Sequence, residues 1–133
     1  MTIQISKTAQ ILALQAHVSF LDSGDDAAHF VYYSDSKPAN IEVAANPANA
    51  LCTLPLPKPC IKQVLVDGVE LQETITALAT KAGIAIWARL YNGNHEAYAD
   101  FTIGTSGTDI VLNNTNIALG SSQKLDSIIL KIS

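Results

Sequence analysis

Short alternations of apolar and polar residues, separated by turn signals, fill the second half of the chain and constrain its fold more than any other feature. Residues 84–91 and 97–103 both alternate, with Asn92-Gly93 between them, which predicts two antiparallel strands joined by a tight turn. Further turn signals divide the remainder into short apolar segments, at 104–107, 113–114 and 120–122. Strands this short, repeated about every eight to twelve residues, are typical of a β-sandwich or barrel.

The first part of the chain predicts one helix, one strand and one loop. Ser6 is a favourable helix cap, and apolar residues follow it at helical spacing until the Asp- and Gly-rich run 22–26, so we expect a helix at about 6–21. Aromatic and β-branched residues at 28–34 predict a half-buried strand. Residues 40–49 follow as a surface loop.

The middle of the chain is less regular. Residues 60–66 and 69–72 flank Asp67-Gly68, and this arrangement predicts a hairpin with a type I′ turn and positive φ. Residues 74–82 leave two interpretations open, because Ala and Leu favour a short helix whereas the threonines favour a strand.

Length and composition then complete the fold prediction. The 133 residues are enough for one core, and with 48% hydrophobic and 15% charged residues the chain lies outside the composition of disordered proteins. We predict a mostly β protein with a single domain, 1–133, in which one N-terminal α-helix precedes an antiparallel β-sandwich. The sandwich takes up about 28–133 and is jelly-roll or immunoglobulin-like.

Charge and hydropathy exclude several classes of function. The net charge of −4 and the lack of a Lys/Arg cluster argue against binding to nucleic acid. The apolar stretch 11–21 is interrupted by polar residues and has no basic leader, so we expect no membrane span and no secretory signal. Few charges leave little polar cover, and we therefore expect a homo-oligomer.

Three aromatic residues of the predicted strand pair form a candidate interaction surface. Alternation places Trp87, Tyr91 and Tyr98 together on the outward face, where cross-strand neighbours touch. Two interpretations are open: the three rings stack on a sugar or a partner subunit, or they pack inside the sandwich. Packing is favoured for Trp87, because large aromatic side chains are usually mostly buried.

The remaining polar motifs predict turns, with no catalytic residue, metal or cofactor. The loop at Gly104, Thr105 and Ser106 lacks the lysine and helix of a phosphate-binding loop and the flanking glycine pattern of a nucleophile elbow. Together with Asn46 in the earlier loop, these three residues are candidate contacts to partners. His17 is expected to be a packed or capped histidine, and His95 is expected to lie in a hairpin tip, where a hydrophilic residue needs no functional reason.

Acidic residues and cysteines also have two interpretations each. A calcium site and a solvated turn are both open for a group of four aspartates, and the turn is favoured because a closing glutamate is missing. The four residues are Asp22, Asp25, Asp26 and Asp35. Cys52 and Cys60 are expected to be reduced, partly buried thiols in preference to a disulfide.

Four segments carry a resemblance to a known family. They are the opening helix, the strand at 30–34 that runs into Lys37-Pro38-Ala39, the strand at 87–91 and the stretch 100–115. In these segments, about two-thirds of the chain, the sequence resembles the small structural proteins of tailed bacteriophages, and it departs from them at 52–73. The resemblance implies a non-enzymatic virion component, a capsid decoration protein or a head-to-tail neck subunit, with other phage structural proteins as partners.

Two competing hypotheses accompany this expectation. The first is a tail- or fibre-associated module that binds host carbohydrate through the aromatic residues named above. The second is a hydrolase, which is disfavoured because no paired carboxylates and no Ser/His/Asp arrangement are recognisable in the sequence.

Overall fold

A computed structural model describes residues 3–131. This part of the chain forms one α-helix, a short 3₁₀ helix at Pro47–Asn49 and twelve short strands. The elements are α1 Lys7–Leu21, β1 His29–Tyr33, β2 Ala50–Pro55, β3 Ile61–Val64, β4 Gly68–Leu71, β5 Ala77–Leu78, β6 Gly83–Ile84, β7 Trp87–Tyr91, β8 Ala97–Gly104, β9 Ile110–Val111, β10 Asn116–Ile117, β11 Ser122–Gln123 and β12 Ile129–Lys131.

The helix forms where the sequence predicts it. The Ser6 hydroxyl accepts a hydrogen bond from the backbone N–H of Ala9 at 3.2 Å, which satisfies one of the free donors at the helix start. The helix ends at Leu21. Its buried stripe is narrow and follows i, i+4, i+7 spacing: Leu14, Val18 and Leu21. Leu12, which the sequence pattern assigned to the apolar side, falls outside this stripe and is 61% exposed.

The largest sheet has five strands in the order β2-β1-β7-β8-β9. All five residues of β1 are buried, so the prediction of a half-buried strand is wrong. The reason is its position: β1 pairs with β2 on one side and with β7 on the other, and both of its faces are covered. Phe30 and Tyr32 face the main core, whereas Val31 and Tyr33 pack beneath the loop that carries Ala45.

One pair of strands in this sheet is parallel. The turn predicted at Gly104 is present, but β9 then runs beside β8 in the same direction, with Ile103 opposite Ile110. Asp109 holds the loop in this form, because its carboxylate accepts from the Thr102 N–H while its own N–H donates to the Thr102 hydroxyl, both at 3.0 Å. The sheet is therefore not antiparallel throughout, as the sequence predicted, but contains one parallel pair.

The second sheet has three strands in the order β12-β4-β3. The predicted hairpin between β3 and β4 is confirmed, but its turn is not type I′, because neither Asp67 nor Gly68 has a positive φ. The turn is closed by the Leu65 N–H, which donates to the Gly68 carbonyl at 2.8 Å. Glycine is instead required at position 68 for steric reasons, because a Cβ there would overlap the backbone carbonyl of Leu130.

The observed structure of the segments 74–82 and 84–91 also differs from what simple periodicity predicts. Residues 74–82 form no helix and contain the strand β5, which pairs with β11, while the Thr80 N–H is bonded to the Leu51 carbonyl at 2.8 Å. The single strand predicted at 84–91 is two strands, because Ala85 bonds to Thr115 and Ile86 bonds to Tyr33. The chain changes sheets at this step, and Ile84 and Ile86 are exposed where alternation placed them inward.

One continuous core joins the helix to the sheets. It contains residues from α1 (Leu14 and Val18), the five-stranded sheet (Phe30 and Leu90) and β4 (Val69). The prediction of a mostly β protein with one helix is confirmed, although the sheets are several and open. Among residues 3–131, no helix has the length and apolar character needed to cross a membrane.

Candidate functional site

Trp87 is fully buried on the outer face of the five-stranded sheet. It is 0% exposed and stacks on Tyr33, with ring centroids 4.6 Å apart and an interplanar angle of 20°. Its indole N–H donates to Asp35 Oδ1 at 3.0 Å. Trp87 is therefore packed, although in a cluster on the outer face and not inside a sandwich, and this ring is not available to a ligand.

A network of buried polar groups surrounds Trp87. Arg89 binds Asp100 through two hydrogen bonds, of 2.6 and 3.0 Å, and its guanidinium lies 5.3 Å from the centre of the Trp87 ring. The bond to Asp100 raises the pKa of Arg89. The hydroxyls of Tyr33 and Tyr91 are 2.7 Å apart, and burial raises the pKa of Tyr33. Because these groups satisfy one another, the network serves the fold.

Tyr98 lies on the opposite face of the sheet. In β7 and β8, Leu90 pairs with Ala99 and Tyr91 with Ala97, which leaves Tyr98 as the extra residue of a β-bulge. A bulge interrupts alternation, and Tyr98 consequently joins the side that packs against the helix. The predicted cluster of Trp87, Tyr91 and Tyr98 is wrong for this reason.

The helix supplies new neighbours for Tyr98. Its hydroxyl lies 2.9 Å from His17 Nδ1, and its ring centre lies 5.5 Å from that of His17 and 6.2 Å from that of Phe20. These three side chains, with Ala16 and Ala97, line a shallow cavity of about 340 Å³, called here the aromatic depression. Sequence reasoning missed it, although Ala16, His17 and Phe20 share one helix face, because the pairing of that face with Tyr98 is not encoded locally.

The predicted loop contacts have structural explanations but remain accessible. Asn46 is exposed, and its side chain caps the 3₁₀ helix by accepting from the Ala48 N–H at 3.0 Å. Thr105 and Ser106 are exposed at the tip of the loop that begins at Gly104. These residues stay candidate contacts, as predicted.

The four aspartates do not converge. Asp22 accepts from the Cys60 N–H at 2.9 Å, Asp26 faces His95 at 3.2 Å, and Asp35 binds Trp87. In the part of the chain that the structure describes, no three His, Cys, Asp or Glu side chains are grouped to hold a metal ion. The calcium interpretation therefore gains nothing from the geometry.

Both cysteines are free thiols in the interior. Burial raises the pKa of the Cys52 thiol to about 11 and that of the Cys60 thiol to about 12. A thiolate is the reactive form of cysteine, so both side chains are poor nucleophiles at neutral pH.

The tip of the β7–β8 hairpin docks on the turn after the helix, and we call this contact the loop junction. The Asn92 amide is buried and donates to Ser23 and Glu96, while the Asp26 N–H donates to the Gly93 carbonyl at 3.3 Å. A Cβ on Gly93 would overlap the backbone of Asp26. The sequence marked this tip only as hydrophilic.

Two histidines meet beside the loop junction. His29 stacks on Tyr91 at 5.3 Å and lies 5.1 Å from His95, which in turn faces Asp26. Burial is the main reason why the pKa of His29 is lowered, and the charge of His95 acts in the same direction. The neutral form of His29 is therefore the form that fits this contact.

A second surface cavity is apolar and lies on the outer side of α1. It has a volume of about 450 Å³ and is lined by Ile11, Leu12, Gln15 and Val66, with the first helical turn at one end. Val66 is 85% exposed and Leu12 61%. We call this surface the helix groove.

Comparison of the chain with protein-family models, with curated proteins and with solved structures found no match. The function is therefore argued from the described residues and from the resemblance stated above.

Proposed function

We propose that this protein is a non-enzymatic structural subunit of a tailed bacteriophage particle. In this proposal it acts by self-association and by docking on the capsid shell, as a decoration or cement protein, or on the head-to-tail neck. The virion is then its location, and other phage structural proteins are its partners. The polar clusters described above satisfy the fold's own backbone and side chains, which agrees with a role that involves no chemistry.

The observation that carries the proposal is the amount of apolar side chain left in contact with solvent. Among the described residues, fourteen large apolar side chains are exposed, and Leu12 and Val66 line one surface together. Each apolar Å² that a partner covers contributes about 25 cal/mol, so such a surface favours association. Only 15% of the residues are charged, so few charged side chains would have to lose water when the protein associates.

The proposal extends to the arrangement of the sheets. We propose that the five-stranded and three-stranded sheets are the layers of a β-sandwich, because Leu90 of the first and Val69 of the second belong to one core cluster. The jelly-roll and immunoglobulin-like forms differ in strand connection, and an experimental structure distinguishes them.

The proposal is tested on purified phage particles. Mass spectrometry of gradient-purified virions should find the protein at a copy number that matches the symmetry of the capsid or of the connector. Its presence in infected-cell lysate together with its absence from virions would contradict the proposal.

Self-association is tested separately with the isolated protein. Leu12→Ser combined with Val66→Ser should shift the sedimentation coefficient toward that of the monomer, because the helix groove loses its two most exposed apolar side chains. Val43→Ser is the matched control, since Val43 is an exposed valine that does not line this groove. Equal effects of both changes would mean that the groove is not the interface.

A second candidate function is a tail- or fibre-associated module that binds host carbohydrate. The observation that favours it is the aromatic depression, which exposes aromatic rings of His17, Phe20 and Tyr98 on one surface. Trp87 and Tyr91 take no part in it, because they belong to the network on the other face. Binding by a glycan array would support this candidate.

A further inference from the structure

The aromatic depression combines aromatic rings and polar atoms on one accessible surface. Phe20 is 37% exposed and Tyr98 is half-buried, and their rings are tilted by 38° to each other. The small side chains of Ala16 and Ala97 complete the lining and leave the rings uncovered. The result is an open apolar platform with polar atoms at one side.

Those polar atoms come from a single pair of side chains. His17 Nδ1 and the Tyr98 hydroxyl are 2.9 Å apart and use one hydrogen bond between them. If the hydroxyl donates, His17 carries its proton on Nε2, which can donate to a ligand; if Nδ1 donates, Nε2 is an acceptor and the hydroxyl retains its proton. In both tautomers the pair therefore offers hydrogen bonding to a ligand hydroxyl.

Charge narrows the class of ligand. None of the five residues that line the depression is Lys, Arg, Asp or Glu. A phosphate, a carboxylate or an ammonium group would lose water here without gaining an opposite charge, so charged ligands are disfavoured. A neutral ligand with one apolar face and hydroxyls at its edge matches both the rings and the polar pair.

We propose that the aromatic depression formed by His17, Phe20 and Tyr98 binds a single neutral pyranose ring, whose C–H face lies on the aromatic rings and whose hydroxyl bonds to the His17–Tyr98 pair. The inference rests on the second candidate function and not on the role in the particle. The volume of about 340 Å³ lies within the range of small-ligand pockets and has room for one sugar ring.

The fold holds this site in place before a ligand binds. Tyr98 is fixed by the β-bulge in β8, and the buried residues Val18 and Leu21 anchor the end of the helix that carries Phe20. Aromatic side chains have only two rotatable bonds, so little conformational entropy is lost on binding. Affinity is nevertheless expected in the millimolar range, roughly −4 kcal/mol, because the site is shallow.

The test is saturation-transfer NMR with the full chain and the methyl glycosides of glucose, galactose, mannose and N-acetylglucosamine. At least one glycoside should receive saturation through its ring C–H protons, and its titration should shift the ring protons of Tyr98. Phe20→Ala should weaken binding about fivefold, since a stacked aromatic ring contributes on the order of 1 kcal/mol. Leu119→Ala, a change of an exposed apolar side chain that lines neither the depression nor the helix groove, should leave binding unaltered.

Several outcomes would overturn the inference. They are the absence of transfer to all four glycosides, binding that Phe20→Ala leaves unchanged, and tighter binding of phenol than of any glycoside, which would indicate a pocket for an aromatic side chain. A shift to monomer caused by Phe20→Ala in sedimentation would assign the surface to a second copy of the chain instead. If virions contain the protein and no glycoside binds, only the sugar site fails; glycoside binding without virion incorporation leaves the site standing.

Discussion

The two faces of the five-stranded sheet use similar residues for opposite purposes. On the outer face, the rings of Trp87, Tyr33 and Tyr91 are packed and their polar atoms are paired within the protein. On the helix side, Tyr98 and Phe20 stay partly in solvent. Aromatic content alone therefore does not identify a binding surface, because rings of the same kind are packed on one face and accessible on the other.

One backbone irregularity separates these two outcomes. Without the bulge between Leu90 and Tyr91, simple alternation would place Tyr98 on the same face as Trp87. The bulge moves it to the helix side, next to a histidine 81 positions away. A single extra residue in one strand thus decides whether Tyr98 lies beside the network on the outer face or beside the helix.

The largest effect is expected when the outer network loses its buried charge pair. Asp100→Ala should lower the free energy of unfolding by about 3–5 kcal/mol, because it leaves the Arg89 guanidinium buried without its partner. Urea denaturation followed by far-UV circular dichroism measures this. Glu73→Ala is the matched control: its partner Lys124 is exposed, and the expected loss is below about 1 kcal/mol. Equal losses would mean that the outer face is solvated.

Tyr32 and Tyr33 are adjacent but lie on opposite faces of the sheet, and only the loss of the Tyr33 hydroxyl should destabilise the protein. Tyr33→Phe should destabilise the protein by about 1 kcal/mol, since the Tyr91 hydroxyl loses its partner. Tyr32→Phe should be neutral or stabilising, because the Tyr32 hydroxyl is buried and has no hydrogen-bond partner among the described residues. Chemical denaturation of both variants provides the measurement, and a loss in Tyr32→Phe as large as that in Tyr33→Phe would contradict the comparison.

The smallest effect is expected from acid, through the histidine on the outer face. The lowered pKa of His29 means that the unfolded chain binds this proton first, so stability should fall as the pH drops below about 6.5. The Ala27 carbonyl and the nearby Asp26 partly oppose the shift and keep the effect small. Thermal unfolding between pH 5 and pH 7.5, run with His29→Asn, measures it.

The control for this pH dependence is a change on the opposite face that removes no ionisable group. Phe20→Ala deletes an exposed ring from the aromatic depression and should leave the slope of stability against pH unchanged. A slope that disappears in Phe20→Ala and persists in His29→Asn would reverse the assignment.

Local signals in the sequence were sufficient for the helix and for two of the turns. The Ser6 cap, the end of the helix before residues 22–26 and the turn at Asn92-Gly93 all depend on residues within a few positions of one another. For the same reason the hairpin between β3 and β4 was placed correctly.

The features that the sequence did not predict depend on contacts between residues far apart in the chain. The burial of β1 on both faces requires a covering loop, the break near Ala85 requires two different partner strands, and the parallel pairing of β9 depends on Asp109 reaching back to Thr102. The candidate site could not be predicted for the same reason. Its residues come from both the helix and the sheet, and Tyr98 is oriented by a bulge that periodicity does not reveal.

The glycines of the loop junction have a practical consequence for attaching labels to this protein. Hairpin tips are the usual sites for inserting peptide tags, but a side chain at Gly24 or Gly93 would strike the facing backbone, so an insertion there should disrupt the docked turn. A Cβ at Gly107 or Gly120 would have no neighbour within 4 Å. A tag inserted at the Gly120 turn, away from the candidate contacts Thr105 and Ser106, should therefore remain accessible to antibodies, and it would allow the proposed location on a phage particle to be tested by electron microscopy.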